Sequence, residues 1–300
     1  MRLDYVTVDV FTHTRFGGNP LAVVFDAGRL SDAEMQYIAT EFNLSETTFT
    51  CPPRERENDA NVRIFTPTAE LPFAGHPNVG TAYALARRAE AGGTRVSGFK
   101  FEEKAGLVEV ELWLEDGVTQ GAEIAAPATI RIGDEFPANI VARACGLATT
   151  DIETRSHAPC LTSTGTPFIS VELKSRAALD KAVCMNDVFV HEIPADVATG
   201  IHLYVHTADG EVDIDARMFG PLFGIAEDPA TGSATTNLIG LLASLDPATD
   251  VMLEKRITQG VLMGRPSLLR ARAIKRAGVV EQTFVGGTCV PVMVGTIDLG

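Results

Sequence analysis

Polar and apolar residues alternate from Asp4 to Phe11, which predicts a strand. Thr14 to Pro20 reads as a turn, and Leu21 to Phe25 as a buried strand. Ser31-Asp32-Ala33-Glu34 has the spacing of a capping box. Behind it Met35, Ile38, Ala39 and Phe42 fall on one helical face, ending near Asn43. Ser45 to Thr50 reads as a strand with Glu46 at its start, and Asn61 to Phe65 as another. Further strands are expected near 96–103 and 106–114.

The pattern then weakens. Residues 115–135 are rich in Gly, Ala and Pro, and the domain boundary is placed there, giving domains 1–120 and 121–300. Pro137 to Cys145 reads as a helix ending at Gly146, and 175–185 as another. Strands follow at 200–207 and 211–219, with a glycine-punctuated tail of strands near 268–275, 278–286 and 289–297.

Two stretches break this grammar. Leu71 to Arg88 is a Gly/Pro loop running into a helix that carries no charge until Arg87. Pro77 suits its first position, because a proline there lacks only an N–H that would go unused. Glu227 to Leu245 repeats the plan: a loop, Asp228-Pro229-Ala230-Thr231-Gly232-Ser233, then an uncharged helix up to Asp246-Pro247. A helix without a polar face is buried on all sides. Each stretch is preceded by a small-residue turn running into a buried strand, Arg15 to Phe25 and Ser163 to Leu173. The same order occurring twice indicates a duplicated fold, with the active site expected where the two helix N-termini meet. Free N–H groups there can hold an anion.

With 300 residues and 45% hydrophobic composition the chain can bury two cores. Its net charge of −14 argues against nucleic acid and against anionic membrane surfaces. No uncharged run approaches the roughly 20 apolar residues of a membrane span, and the N-terminus lacks an apolar signal core. Five cysteines, without a CxxC pair, fit reduced thiols in a cytoplasm. No metal is expected: His202 and His206 lie on a strand face, too far apart for one small ion. No Walker loop or dinucleotide fingerprint is present.

Three residues could carry chemistry. Glu46 is a lone carboxylate in a neutral run; it is either a strand-edge glutamate or a general acid/base in an apolar site. His76, at the start of the first uncharged helix, caps its own turn or meets a substrate oxygen. Asp228 is a turn aspartate or a site carboxylate. Gly232 and Ser233 could offer backbone N–H groups to a carboxylate.

Phe16-Gly17-Gly18-Asn19-Pro20, Asn43-Leu44-Ser45-Glu46-Thr47-Thr48-Phe49, Phe73-Ala74-Gly75-His76-Pro77 and Asp228-Pro229-Ala230-Thr231-Gly232-Ser233-Ala234 together resemble the phenazine-biosynthesis isomerase-like (PhzF-like) family. Gln259-Gly260 and Gly264-Arg265-Pro266-Ser267 match as well, so the resemblance spans nearly the whole chain. It implies an α+β fold of the diaminopimelate epimerase type: two pseudo-symmetric domains, each a curved, mostly antiparallel sheet around a central buried helix. Terminal strands can cross between the domains. The two cysteines of the related epimerases correspond here to Ala74 and Ala230, so two-thiol racemisation is unsupported.

The resemblance further implies a cofactor-independent isomerase. Glu46 would be its acid/base and His76 and Asp228 its assistants. Asn19, Gly75, Gly232 and Ser233 would bind a small carboxylate, which in characterised members is trans-2,3-dihydro-3-hydroxyanthranilate. A cytoplasmic homodimer is expected by the same analogy. An epimerase of another small acid and a non-catalytic carboxylate-binding protein are the alternatives.

Overall fold

The computed structural model describes residues 1–208 and 210–300. The chain folds as a sheet-rich α+β protein with few helices. It divides into two compact units, one of residues 1–125 with 286–300 and the other of residues 126–285.

The first unit runs β1 (Arg2–Val10), β2 (Asn19–Val24), α1 (Asp32–Phe42), β3 (Glu46–Cys51), β4 (Ala60–Phe65), β5 (Glu70–Leu71), α2 (Gly75–Ala91), β6 (Gly98–Glu103), β7 (Gly106–Glu115) and β8 (Val118–Ala125). The second holds β9 (Arg131–Glu135), α3 (Ala138–Ala144), β10 (Cys160–Ser163), β11 (Pro167–Glu172), α4 (Arg176–Lys181), α5 (Asn186–Glu192), β12 (Ile201–His206), β13 (Ile214–Gly220), β14 (Ile225–Asp228), α6 (Gly232–Leu245), β15 (Val251–Gln259) and β16 (Ser267–Arg276). The last strand, β17 (Val279–Asp298), begins in the second unit and ends in the first, where it pairs antiparallel with β1 from Arg2↔Asp298 to Val10↔Cys289.

Both uncharged helices are buried along most of their length. In α2 every residue from Gly75 to Ala84 is buried, and in α6 all of Ala234 to Leu241. A β-carbon at Gly80 would lie 2.6 Å from Leu21 Cδ2 and 2.7 Å from Val10 Cγ2, so α2 rests directly on β1 and β2. In the second unit Leu238, Ile239 and Ala243 of α6 pack with Ile214, Ile257 and Ala271. The capping box at α1 forms: the Glu34 N–H donates to Ser31 Oγ, and the Ser31 N–H donates to Glu34 Oε2.

Several sequence expectations shift. Pro77 is the third residue of α2, where its missing N–H is as harmless as at the first. The helix passes Arg87 and Arg88 to end at Ala91. The helix expected over 175–185 stops at Lys181 and a second one follows, while the two last strands form the single long β17.

The two units repeat one register. Parallel β2 and β3 set Ala22 opposite Thr47, and Thr47 faces Phe65 across antiparallel β4. Parallel β11 and β12 set Ile169 opposite Ile201, and Ile201 faces Phe219 across β13. Thr47 therefore corresponds to Ile201, and Phe65 to Phe219. Two residues earlier stand Arg63 and Arg217. Each forms a two-pronged pair with a glutamate five residues ahead of the buried helix: Arg63 with Glu70 at 2.8 and 2.7 Å, Arg217 with Glu227 at 2.8 and 2.8 Å. Each guanidinium also covers a ring, Phe65 at 5.2 Å and Phe219 at 4.9 Å.

Candidate active site

Glu46 opens β3 beside Leu21 of β2, and His76 is the second residue of α2. Their side chains are 12% and 5% exposed, and His76 Nε2 lies 3.4 Å from Glu46 Oε2. Burial pushes the imidazole pKa down to about 3, so His76 is neutral at physiological pH. The contact is thus between a carboxyl group and a neutral ring rather than an ion pair. Asn19, first residue of β2, is fully buried. Gly75 is the first residue of α2, whose cap, Ala74, has no side chain to satisfy the first N–H groups.

The second unit gathers Asp228, Gly232 and Ser233. Asp228 closes β14 and is buried, with Thr231 Oγ1 donating to its Oδ2 at 2.6 Å. Gly232 and Ser233 begin α6, again without a side-chain cap. The loop between is braced from below by a residue to which sequence reasoning gave no role. Gln259 Nε2 donates to the Asp228 carbonyl at 2.7 Å and to Thr231 Oγ1 at 3.0 Å, and its Oε1 accepts from the Thr231 N–H at 3.2 Å. Ser267 Oγ donates to the Pro229 carbonyl at 2.8 Å. The Gln259-Gly260 dipeptide was the available signal. Gly260 has φ +73°, and a β-carbon there would meet the Pro229 carbonyl oxygen at 2.6 Å.

A second residue went unnoticed. Glu103, the last residue of β6, has both carboxyl oxygens buried with no donor at bonding distance among the described residues. Burial pushes its pKa up to about 8, partly offset by Asn78 on α2. In sequence it is one of two adjacent glutamates, Glu102 and Glu103, and nothing marks which is inside.

These elements define a protein with a buried carboxyl–imidazole couple at the head of one uncharged helix and a matching polar loop at the head of another. The chain belongs to the phenazine biosynthesis-like protein family, whose pattern matches residues 8–295. It is an isomerase of that family. It is 36% identical, over 99% of both chains, to a trans-2,3-dihydro-3-hydroxyanthranilate isomerase of Pseudomonas fluorescens. Among solved structures it resembles the Bacillus anthracis phenazine biosynthesis protein of the PhzF family, with TM-score 0.87, 26% identity and full coverage of both chains. A hydroxyproline epimerase from Agrobacterium vitis shares the fold at TM-score 0.66 and 12% identity, over 99% of this chain and 91% of the other.

Proposed function

We propose that this isomerase moves a proton between two carbons of one small conjugated carboxylate, without metal or organic cofactor, and that Glu46 carries the proton. The observation that supports this reading most is the 3.4 Å couple of Glu46 with a neutral His76 in a nearly dry setting. In the first step the Glu46 carboxylate takes a proton from an activated carbon, and the electron pair spreads into the conjugated system. In the second step the Glu46 carboxyl O–H returns that proton to another carbon of the same system. One face and one carboxyl group suffice. In its Nε2–H tautomer, His76 donates toward the Glu46 carboxylate before the first step and after the second, and so fixes the orientation of the carboxyl group.

Asp228 assists in this reading by orienting a hydroxyl or amino group of the substrate. Asn19 and the N–H groups at Gly75, Gly232 and Ser233 hold the carboxylate. The repeated registers support a duplicated architecture of the diaminopimelate epimerase type, each half a sheet around its buried helix. No cysteine occurs in either loop leading to those helices, which disfavours the two-thiol chemistry of epimerases. The substrate we assign is trans-2,3-dihydro-3-hydroxyanthranilate, from the named activity of the relatives. A cytoplasmic homodimer that binds neither nucleic acid nor membrane completes the proposal; among the described residues no helix is long and apolar enough to cross a membrane.

The test is turnover of that compound, followed by chromatography of the product. Wild type should convert it, Glu46→Gln should lose about three orders of magnitude or more, and Asp228→Asn about 10²-fold, the range for general acid–base and positioning groups. Undiminished turnover by Glu46→Gln would rule the mechanism out.

A further inference from the structure

Thr231 occupies the cap position of α6, with extended backbone at φ −113° and ψ 94°, yet its side chain makes no cap bond. Threonine is a preferred residue at that position. Two serines placed in the same way do cap their helices: Ser31 accepts from the Glu34 N–H at α1, and Ser175 from the Ala178 N–H at α4. The Thr231 hydroxyl is turned away from its helix instead. It donates to Asp228 Oδ2 at 2.6 Å and accepts from Gln259 Nε2 at 3.0 Å, and all three residues are buried.

The direction of each bond follows from the backbone. The Asp228 carbonyl can only accept, and the Thr231 N–H can only donate. Gln259 meets them at 2.7 and 3.2 Å, so its Nε2 faces the carbonyl and its Oε1 faces the N–H. The flipped amide would set acceptor on acceptor and donor on donor. The second Nε2 hydrogen then points at Thr231 Oγ1. With that lone pair engaged, the hydroxyl sends its single hydrogen to Asp228 Oδ2. A hydrogen bond donated to a carboxylate favours its ionised form. Glu227, next in the chain, is taken up by Arg217 at 2.8 Å and does not share in this arrangement.

The second unit also lacks a counterpart of Glu46. Thr47 corresponds to Ile201, so Glu46 corresponds to Gly200, where a β-carbon would lie 2.4 Å from the Phe219 carbonyl oxygen. We propose that Thr231 and Gln259 are positioning residues that hold Asp228 as a hydrogen-bond acceptor, a carboxylate that receives a hydrogen from the substrate and supplies none. The ligand this describes carries an amino or hydroxyl donor for Asp228 beside the carboxylate assigned to Gly232 and Ser233. Asp228 is then no second acid or base, and proton transfer belongs to Glu46.

For its kinetic consequence this inference rests on the reading of the site above; the state of Asp228 does not. The experiment compares Thr231→Val, Thr231→Ser and Gln259→Met with wild type, and Thr231→Val again in an Asp228→Asn background. One readout is kcat/KM with trans-2,3-dihydro-3-hydroxyanthranilate. The second is the carbon-13 shift of the Asp228 carboxyl carbon at about pH 7, with no substrate present. Thr231→Val and Gln259→Met should each lose about 10-fold or more in kcat/KM, the worth of one hydrogen bond to a charged group. Thr231→Ser, which keeps the hydroxyl, should stay within about threefold of wild type. In the Asp228→Asn background Thr231→Val should cost less than about threefold, because the hydroxyl acts through the carboxylate. The wild-type carbon should show the shift of an ionised carboxylate. Equal losses for Thr231→Val in the two backgrounds, or the shift of a protonated carboxyl in wild type, would overturn the proposal. Should Gln259→Met fail to fold, the Thr231 variants decide. If wild type turns over nothing, the functional reading falls, while the carbon-13 shift still tests the state of Asp228.

Discussion

The Arg217–Glu227 pair offers a quantitative test of how the fold holds its helix-opening loops. Their side chains are 11% and 18% exposed, and the guanidinium satisfies four acceptors: both oxygens of Glu227 and the carbonyls of Leu179 and Ala182, at 2.9 and 2.7 Å. Removing one partner of such a pair leaves an uncompensated, mostly desolvated charge, at a cost of about 3–5 kcal/mol. Since neither side chain is wholly buried, about 3 kcal/mol is expected for Arg217→Met and for Glu227→Met alone. The double variant removes both charges. It leaves only the two carbonyls short of a donor and should cost about 2 kcal/mol, roughly 1 kcal/mol for each carbonyl. The coupling energy is then about 3 + 3 − 2, or about 4 kcal/mol, against at most about 0.5 for the half-exposed pair of Arg176 and Asp180. Urea denaturation of the four proteins, each followed by circular dichroism, measures it. Singles that cost under about 1 kcal/mol and add within about 0.5 kcal/mol would show that the pair does not act as a unit, and the reasoning fails.

Other consequences follow from single contacts. Asn237→Ala should destabilise the second unit by about 2–4 kcal/mol in the same assay, because its amide bonds Thr162, Thr164 and Thr166 around the turn before β11. Gly80→Ala should cost about 1–3 kcal/mol, since the added carbon overlaps Leu21 and Val10 side chains and forces α2 off the strands. His76, with its folded pKa lowered to about 3, binds no proton in the native state between pH 3 and 6.5, where the unfolded chain does. Stability should therefore fall as pH drops through that window, by up to about 1.4 kcal/mol per unit. His76→Gln should flatten that slope in calorimetric melts between pH 4 and 6.5.

Much of this architecture was legible because the residues that make it obey local rules. An uncharged run behind a Gly/Pro loop can only be a buried helix, and both examples are. The Ser31 box forms because its two partners stand three residues apart, within reach of each other's N–H. What stayed hidden depends on long-range partners. The strand β15 carries Glu254, Lys255 and Arg256 in succession, which masks its alternation of sides, and it is held by pairing with β16 along its full length. The strands β9 and β10 pair with each other across the helix α3, a relation that composition does not reveal. At the site, Glu46 and His76 stand 30 residues apart in the chain, and the parallel pairing of β2 with β3 over which α2 lies brings them to 3.4 Å. The correspondence of the Arg63–Glu70 and Arg217–Glu227 pairs emerges only from register, because the two halves share little else by identity.

The central claim is that one carboxyl group, Glu46, lifts and returns the proton. Proton NMR of trans-2,3-dihydro-3-hydroxyanthranilate in heavy water, with wild type and with Glu46→Gln, tests it most directly. The account requires wild type to form rearranged product carrying the migrated hydrogen or one solvent deuteron at the receiving carbon, and Glu46→Gln to leave both ring and isotope pattern untouched. Deuterium entering the substrate in the presence of Glu46→Gln at the wild-type rate would contradict it.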